Sequence, residues 1–431
     1  MPKISGALTW GITPIPPSSV LITALERQLP AALDFLRRMV GINSFTANAA
    51  GVNAVGDLVA EAFAPMGFGA VRVPFATTRD ERGAHLFLTT PAVTGQPTLA
   101  LVSHLDTVFP AEEEARNEFA WRREGRRIYG PGTNDIKGGT ALIWLMLMAM
   151  RETTPEVFAG VNWIVALNAC EELDSENFGT ACARLLPADT RACLIFEADG
   201  GTDEDWAVVA ARKGRATFTV RVEGRGAHAG GGHARGANAI VELAAVVGRL
   251  AALTDYAVGV TVNVGTIAGG TVNNRVPHEA RATLEMRAFD PVVFARAREA
   301  ILSFSGEGSV RSADGHACRV SVTLDDECAP WPVNAETERL ITLWQAAGAD
   351  LGLAVERQER GGLSDGNVLW SRFPTLDGLG PRGEHSHCSE RSADGGKEQE
   401  WVDAESFVPK ALLNAVAVAR LVSAMGTAAV T

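Results

Sequence analysis

Two histidines and five carboxylates stand at or just beyond the ends of predicted strands: His104, Asp106, Asp135, Glu171, Glu172, Glu197 and His387. Imidazole nitrogen and carboxylate oxygen are the donors a cation such as zinc takes. Two such cations close together need a bridging carboxylate and a base for the attacking water. The set therefore has the makings of a two-metal hydrolytic site. Each member also has a plainer reading. His104-x-Asp106 closes an apolar run, and with a period of two both side chains point to one face. A carboxylate placed there can fix a histidine's tautomer. Asp135 lies in Gly130-Pro-Gly-Thr-Asn-Asp-Ile-Lys-Gly-Gly139, where four glycines in ten residues point to a close backbone approach. An aspartate at a helix start can equally be a cap. Glu171 and Glu172 follow an apolar strand, either as a solvated end or as a pair that divides labour. In the second case one carboxylate binds metal and its neighbour stays free to take a proton. Asp199 is a rival to Glu197 as a ligand, and spacing does not decide between them. His385 and His387 share one glycine-rich loop, and either could be the second imidazole.

The elements that would carry these residues alternate between helix and strand. Residues 53–66 and 138–152 read as helices. Residues 98–104, 160–170 and 191–196 read as apolar strands that end on His104, on Glu171 and Glu172, and on Glu197. Such runs alternating with helices imply an α/β domain, with a mostly parallel sheet and helices on both faces. Ligands of such sheets bind beyond the carboxyl ends of the strands, where the candidates fall. From about residue 212 the pattern changes to half-buried alternation: Phe218, Val220 and Val222, then Ala282, Leu284 and Met286. Helices are expected over 235–253 and 291–304. This reads as a small α+β, ferredoxin-like domain over 212–327, inserted into a catalytic domain formed by 1–211 and 328–431.

Composition narrows the partners. The 431 residues are 46% hydrophobic and 21% charged, enough for a large core and too few charges for a disordered chain. Net charge is 39 − 51 = −12. That balance argues against nucleic-acid or membrane-surface binding. The six cysteines show no C-x-x-C spacing and read as buried free thiols of a reducing compartment. Residues 1–17 do not read as a secretory signal. The most apolar stretch, around 142–150, is too short to span a membrane. A soluble cytoplasmic protein is expected.

In their order along the chain these segments resemble the M20 family of metallopeptidases. That group includes glutamate carboxypeptidases, acetylornithine deacetylases, desuccinylases and aminoacylases. The resemblance runs from about residue 30 to the C-terminus. It rests on Ser103-His-Leu-Asp-Thr-Val108, the Gly130–Gly139 segment, Glu171 and Glu172, Glu197, Gly226-Ala-His-Ala-Gly230, Gly269-Gly-Thr-Val-Asn-Asn274 and Gly380-Pro-Arg-Gly…His387. It implies two divalent cations, zinc first with cobalt or manganese as alternatives. His104 and Glu197 would bind one, Glu172 and His387 the other, and Asp135 would bridge them. The family's spacing after Gly-Pro-x-Gly selects His387 over His385. Asp106 would stand behind His104, and Glu171 would be the general base of a metal-activated water. The peptide bond after Asp135 would be cis. In the inserted domain, His228 would reach the partner subunit's site to stabilise an oxyanion, which implies a homodimer. Asn274, Arg287 and Gly362 would face the substrate, with the Arg287 fork on its carboxylate. The expected activity is hydrolysis of an amide or peptide bond next to a free carboxylate, on a small peptide or N-acyl amino acid. A biosynthetic N-acyl-amino-acid deacylase is the alternative, and a non-catalytic metal-containing binding protein the remote one.

Overall fold

The strand that ends on His104 lies inside a six-stranded sheet of order Gly69–Val73, His85–Thr89, Asn162–Asn168, Thr98–His104, Ala192–Ile195, Thr375–Leu376. In this computed structural model, residues 18–75 and 82–428 are described. The expectation about residues 1–17 lies outside them. The first two strands of the sheet run antiparallel to their neighbours, and the other four are mutually parallel. Thr98–His104 is buried along its whole length, with a strand on each side. A strand buried on both faces reads as a continuous apolar run, which is why it was legible from composition alone. The antiparallel edge was not foreseen.

The chain divides into two compact units. The first contains the residues up to Ala210, Asn334–Gln358, and Leu369 onward. Helices Ser18–Val40, Lys137–Thr153, Ala335–Leu351 and Phe407–Ala428 bury their apolar sides in one core with the sheet. The helix expected over 53–66 runs over Ala49–Phe63, and Asn48 caps it by accepting from the Gly51 amide. Among the described residues one longer segment, Ala404–Met425, is long and apolar enough to cross a membrane, yet 67% of its most apolar window is buried in the core.

A second, four-stranded sheet in this unit was not anticipated. Its order is Gly383–Glu384, Trp401–Asp403, Arg127–Tyr129, Arg122–Glu124. It clamps both ends of the loop that carries His385 and His387.

The second unit comprises Ala211–Val333 and Glu359–Val368. Its sheet is antiparallel and five-stranded: Thr261–Gly269, Glu279–Ala288, Gly214–Glu223, Ala317–Cys328, Gly306–Arg311. The alternation of Phe218, Val220, Leu284 and Met286 puts those side chains in a core with Leu243 and Leu250 of helix Ala239–Ala251, and Phe294 and Ile301 of helix Pro291–Leu302. Asn238 and Asp290 cap these helices through their side chains. A two-stranded ribbon, Ala227–His228 against Arg275–Val276, stands apart from the sheet.

Candidate metal centre

Asp106 organises the site from behind. Its side chain is fully buried. Oδ1 accepts the Glu171 amide at 3.0 Å, while Oδ2 accepts the Glu172 amide at 3.3 Å and the Thr46 hydroxyl at 2.7 Å. His104 Nδ1 lies 3.0 Å from the Asp106 main-chain oxygen and 3.4 Å from its Oδ1. An Nδ1–H facing oxygen on that side leaves the Nε2 lone pair for a ligand.

That Nε2 faces Asp135 Oδ1 at 3.1 Å, and Glu197 Oε1 lies 3.8 Å from it. On the other side, His387 Nε2 is 3.3 Å from Asp135 Oδ2 and 3.1 Å from Glu172 Oε2. Asp135 thus presents one oxygen to each imidazole. One ligand atom each from His104, Asp135 and Glu172 fit within 4.8 Å of one another. Glu171 is close enough to His104 to favour its charged form.

Local structure explains how the chain brings these groups here. The helix Lys137–Thr153 takes Ile136 as its N-cap without a side-chain cap bond. Asp135 is therefore not spent as a cap. The peptide bond from Asp135 to Ile136 is cis. A Cβ at Gly139 would sit 2.1 Å from the Phe196 carbonyl oxygen, so glycine lets the helix start approach the strand end that leads to Glu197. His385 and His387 both have positive φ, 61° and 66°. The left-handed region costs a non-glycine residue about 1 kcal/mol or more, and local bonds hold the loop in it. Asn134 Nδ2 donates to Ser386 Oγ at 2.8 Å, and the Cys388 amide donates to the His385 carbonyl at 2.9 Å.

The structure places Asp199 and His385, the two rivals left by the sequence, away from Asp135. Asp199 is not among the converging groups: it forms a fully buried ion pair with Lys410 and accepts the amides of Gly201 and Ala207. His385 turns away from Asp135 to Glu398, with Nε2 3.3 Å from Oε2. Tyr129 and Arg127 donate to the other oxygen of Glu398.

One residue escaped sequence reasoning. Glu400 is fully buried, and its Oε1 accepts the amides of Asn134 at 2.8 Å and Asp135 at 3.1 Å. No motif marks it. The only available signal was a carboxylate heading the apolar Trp-Val of a buried strand.

The electrostatics fit a cation site. Burial, then the charge of Asp135, pushes Glu172 up to about 7. Hydrogen bonds with Asp135 and Glu172 push His387 up to about 11. Burial works against a charge on His104, yet its bonds to Asp106 and Asp135 raise it well above the ordinary value. Burial likewise opposes the charge on Asp135, but the two imidazoles hold it below the usual carboxylate range. Glu172 Oε1 is buried with no hydrogen-bond partner among the described residues. Two imidazole nitrogens set against carboxylate oxygens, with a buried acceptor left over, are a donor set that a divalent cation satisfies once it displaces the imidazole protons.

The remaining candidates belong to the second unit. His228 Nδ1 accepts the amides of Gly230 at 3.1 Å and Gly231 at 3.0 Å. The ring proton is therefore on Nε2. Asn274 is exposed, and its main-chain oxygen accepts the Ala229 amide at 2.9 Å. Arg287 bonds Glu285 and the Gly361 carbonyl, and the Gly362 carbonyl accepts from Arg212.

Residues 210–310 match the M20 peptidase dimerisation domain. Carboxypeptidase G2 of Pseudomonas sp. (strain RS-16) is 27% identical over 418 residues, which is 95% of this chain and 92% of that protein. The chain is similar to carboxypeptidase G2 over nearly its whole length, and its second unit carries the match to the M20 dimerisation domain. The proteins it resembles are metallopeptidases and carboxypeptidases, which are metal-dependent hydrolases. The fold likeness extends to solved structures. The aminopeptidase PepT of Bacillus cereus ATCC 10987 superposes with a TM-score of 0.68 at 20% identity, covering 91% of this chain and 98% of its own. A dinuclear metal-binding peptidase of the M20 family from Bacillus subtilis gives 0.63 at 13% identity, covering 92% and 99%.

Proposed function

We propose that this M20 homologue hydrolyses an amide or peptide bond next to a free carboxylate, in the manner of a carboxypeptidase, with two zinc ions. The observation that carries the reading is the Asp135 carboxylate, with one oxygen facing His104 and the other facing His387. His104 and Glu197 would hold one cation, Glu172 and His387 the other, with Asp135 between them. When bound, the cations would polarise the substrate carbonyl and lower the pKa of a water.

The chain's own residues do the rest. Asp106 fixes the His104 tautomer and the turn that carries Glu171 and Glu172. The Glu171 carboxylate takes the proton of the attacking water and delivers it to the leaving nitrogen. His228 donates its Nε2–H to the developing oxyanion, with Asn274 beside it. Arg287 and Gly362 belong to the substrate side of the second unit. That unit supports a homodimer, in which His228 serves the partner's site. The free thiols suit a cytoplasmic setting. The overall likeness to carboxypeptidase G2 favours the carboxypeptidase reading over a deacylase.

The test is a panel of N-acetyl, N-succinyl and peptidyl-glutamate substrates with the protein stripped by chelator and reloaded with zinc. Cleavage of the peptidyl substrates by the zinc-loaded form alone is expected. Preference for N-acetyl or N-succinyl substrates would move the assignment to a deacylase. Equal hydrolysis by the stripped protein would overturn the metal-dependent scheme.

A further inference from the structure

In the turn after the strand Asn162–Asn168, the amides of residues 169 to 172 are each taken by a side chain. Cys170 donates to Asn168 Oδ1 at 2.9 Å, and Glu171 and Glu172 donate to the two oxygens of Asp106. The first amide of the run, that of Ala169, donates to His85 Nδ1 at 3.1 Å. His85 opens the strand His85–Thr89, and its neighbour Leu86 faces Leu167 across the antiparallel pair. That register brings the His85 ring level with the strand end that leads to Glu171. The residue is fully buried, and its ring packs against those of Phe75 and Phe178, with centroids 5.8 and 5.4 Å away.

The other ring nitrogen, Nε2, lies 3.0 Å from Asn177 Oδ1, on the helix Glu176–Leu185. A neutral imidazole that accepts at Nδ1 carries its proton on Nε2, so Nε2–H donates to Asn177. One ring thus joins residue 169 to residue 177, the two ends of the loop that carries Glu171 and Glu172. Asn168 closes the same loop by donating to Ser175 Oγ at 3.2 Å. A second proton on the His85 ring would reverse its role. Imidazolium has two donors and no acceptor, and its Nδ1–H would face the Ala169 N–H. Burial holds the ring below the ordinary histidine value, against the Asn177 bond and the charges of Asp106 and Asp174. The other ionisable groups around the turn are Cys170, whose thiol burial pushes up to about 12, and Arg82, whose charge reaches that thiol. The neutral ring is therefore the form that holds the loop.

We infer that His85 is a positioning residue for Glu171 and Glu172, acting through the two ends of their loop. The inference rests on the proposed function, in which those carboxylates are the base and a ligand. Asp106 takes the amides of the two residues themselves; His85 fixes where their loop begins and ends.

The experiment compares wild type with His85→Asn, His85→Gln, Asn177→Asp and the double variant His85→Asn with Asn177→Asp. Asparagine puts an accepting oxygen near the place of Nδ1. Glutamine puts a donor near the place of Nε2 and leaves the Ala169 amide without its acceptor. Three quantities are read: kcat of zinc-loaded protein on the fastest-cut substrate of the panel, zinc affinity by calorimetry, and hydrogen-exchange protection of residues 169–177 in chelator-stripped protein. His85→Gln should lower kcat roughly ten- to a hundred-fold, the worth of an ångström-scale misplacement. It should also weaken zinc binding and strip protection from the segment, whereas His85→Asn should keep the larger part of all three. Asn177→Asp leaves the ring in place but sets a carboxylate beside it, which favours the imidazolium. Protection of the segment should then fall as pH drops through neutrality, where wild type stays unchanged. The double variant has no ring to charge and should lose that dependence. Equal losses in His85→Asn and His85→Gln, or full protection in His85→Gln, overturn the inference. If His85→Gln does not fold, Asn177→Asp decides: protection as indifferent to pH as that of wild type overturns it. If no panel member is cut, the proposed function fails, and zinc affinity and exchange still judge His85.

Discussion

Replacing Glu400 separates what its side chain does as an acceptor from what it does as a charge. The carboxylate accepts two buried amides, those of Asn134 and Asp135, and its own backbone bonds Gly130 and Cys388. It therefore ties the segment of Asp135 to the loop of His387. Glu400→Leu removes the acceptor and strands two N–H groups. At about 1–3 kcal/mol for each unsatisfied group, the loss is about 2–6 kcal/mol, a large part of an ordinary domain's stability. Burial, and then the charge of Asp135, pushes Glu400 up to about 8, so near neutrality it is mostly protonated in chelator-stripped protein. Glu400→Gln keeps the shape and an accepting oxygen, and should cost less than about 1 kcal/mol. The pH dependence follows from the raised pKa. A carboxyl lifted from 4.5 to about 8 on folding gives stability that is full below 4.5 and is lost as pH rises through about 8. Wild type should therefore lose stability relative to Glu400→Gln across that window. The assay is urea unfolding of the stripped proteins from pH 4.5 to 8, with zinc content and kcat measured after reloading. Equal damage from Gln and Leu, or a flat difference between wild type and Gln with pH, would refute the reasoning.

Two further outcomes are expected. Glu171→Gln should lower kcat by roughly 10²–10⁴-fold, the usual worth of a positioned general base, with zinc content unchanged by metal analysis; loss of metal instead would make Glu171 a ligand. Neither Glu171→Gln nor His228→Gln should turn over alone at more than a small fraction of the wild-type rate. Mixed in equal amounts after dissociation and reassociation, they should recover roughly a quarter of wild-type activity, because half the dimers are mixed and each holds one site with both residues intact. No recovery would return His228 to its own subunit.

How much of this was legible depended on whether the determining contact was local. Thr98–His104 announced itself because burial on both faces leaves an unbroken apolar run. The alternation of Phe218, Val220, Leu284 and Met286 marked the second unit for the converse reason, one wet face and one dry. His104, Glu172 and Glu197 drew attention because they stand just beyond strands of one sheet, whereas Asp135 at a helix start and His387 in a loop were singled out by the order of the motifs. What escaped was set by partners far away in sequence. Asp199 looked equal to Glu197 until Lys410, on the last helix, claimed it. Glu400 had no signature because its partners are backbone amides of residues 134 and 135, and an amide has no sequence. The strands Gly383–Glu384 and Trp401–Asp403 are too short to show a period, so the sheet that fixes the His387 loop was invisible.

Asp106 shows why His104, Glu171 and Glu172 cannot be treated as independent. Its Oδ1 serves the Glu171 amide and His104, and its Oδ2 serves the Glu172 amide and Thr46. All of these but the Thr46 hydroxyl are obligate donors once Nδ1 carries the proton, and only a carboxylate offers acceptors on both sides. Asparagine keeps a single oxygen. Placed at Oδ1, it sets its NH₂ against the Glu172 amide; placed at Oδ2, it sets its NH₂ against the Glu171 amide and the imidazole N–H. Either orientation buries two donors face to face, so this near-isosteric change should cost about 1–3 kcal/mol. More tellingly, it must disturb either Glu172, the proposed ligand, or Glu171, the proposed base, together with His104. Asp106→Asn should therefore lower zinc affinity and kcat together, whereas Glu171→Gln lowers kcat alone. The double variant Asp106→Asn with Glu171→Gln should lose far less in kcat than the product of the two single losses, because both act through the same carboxylate at position 171. Multiplicative losses would mean that Asp106 acts on the metal ligands only, and that the turn bearing Glu171 is held by something else.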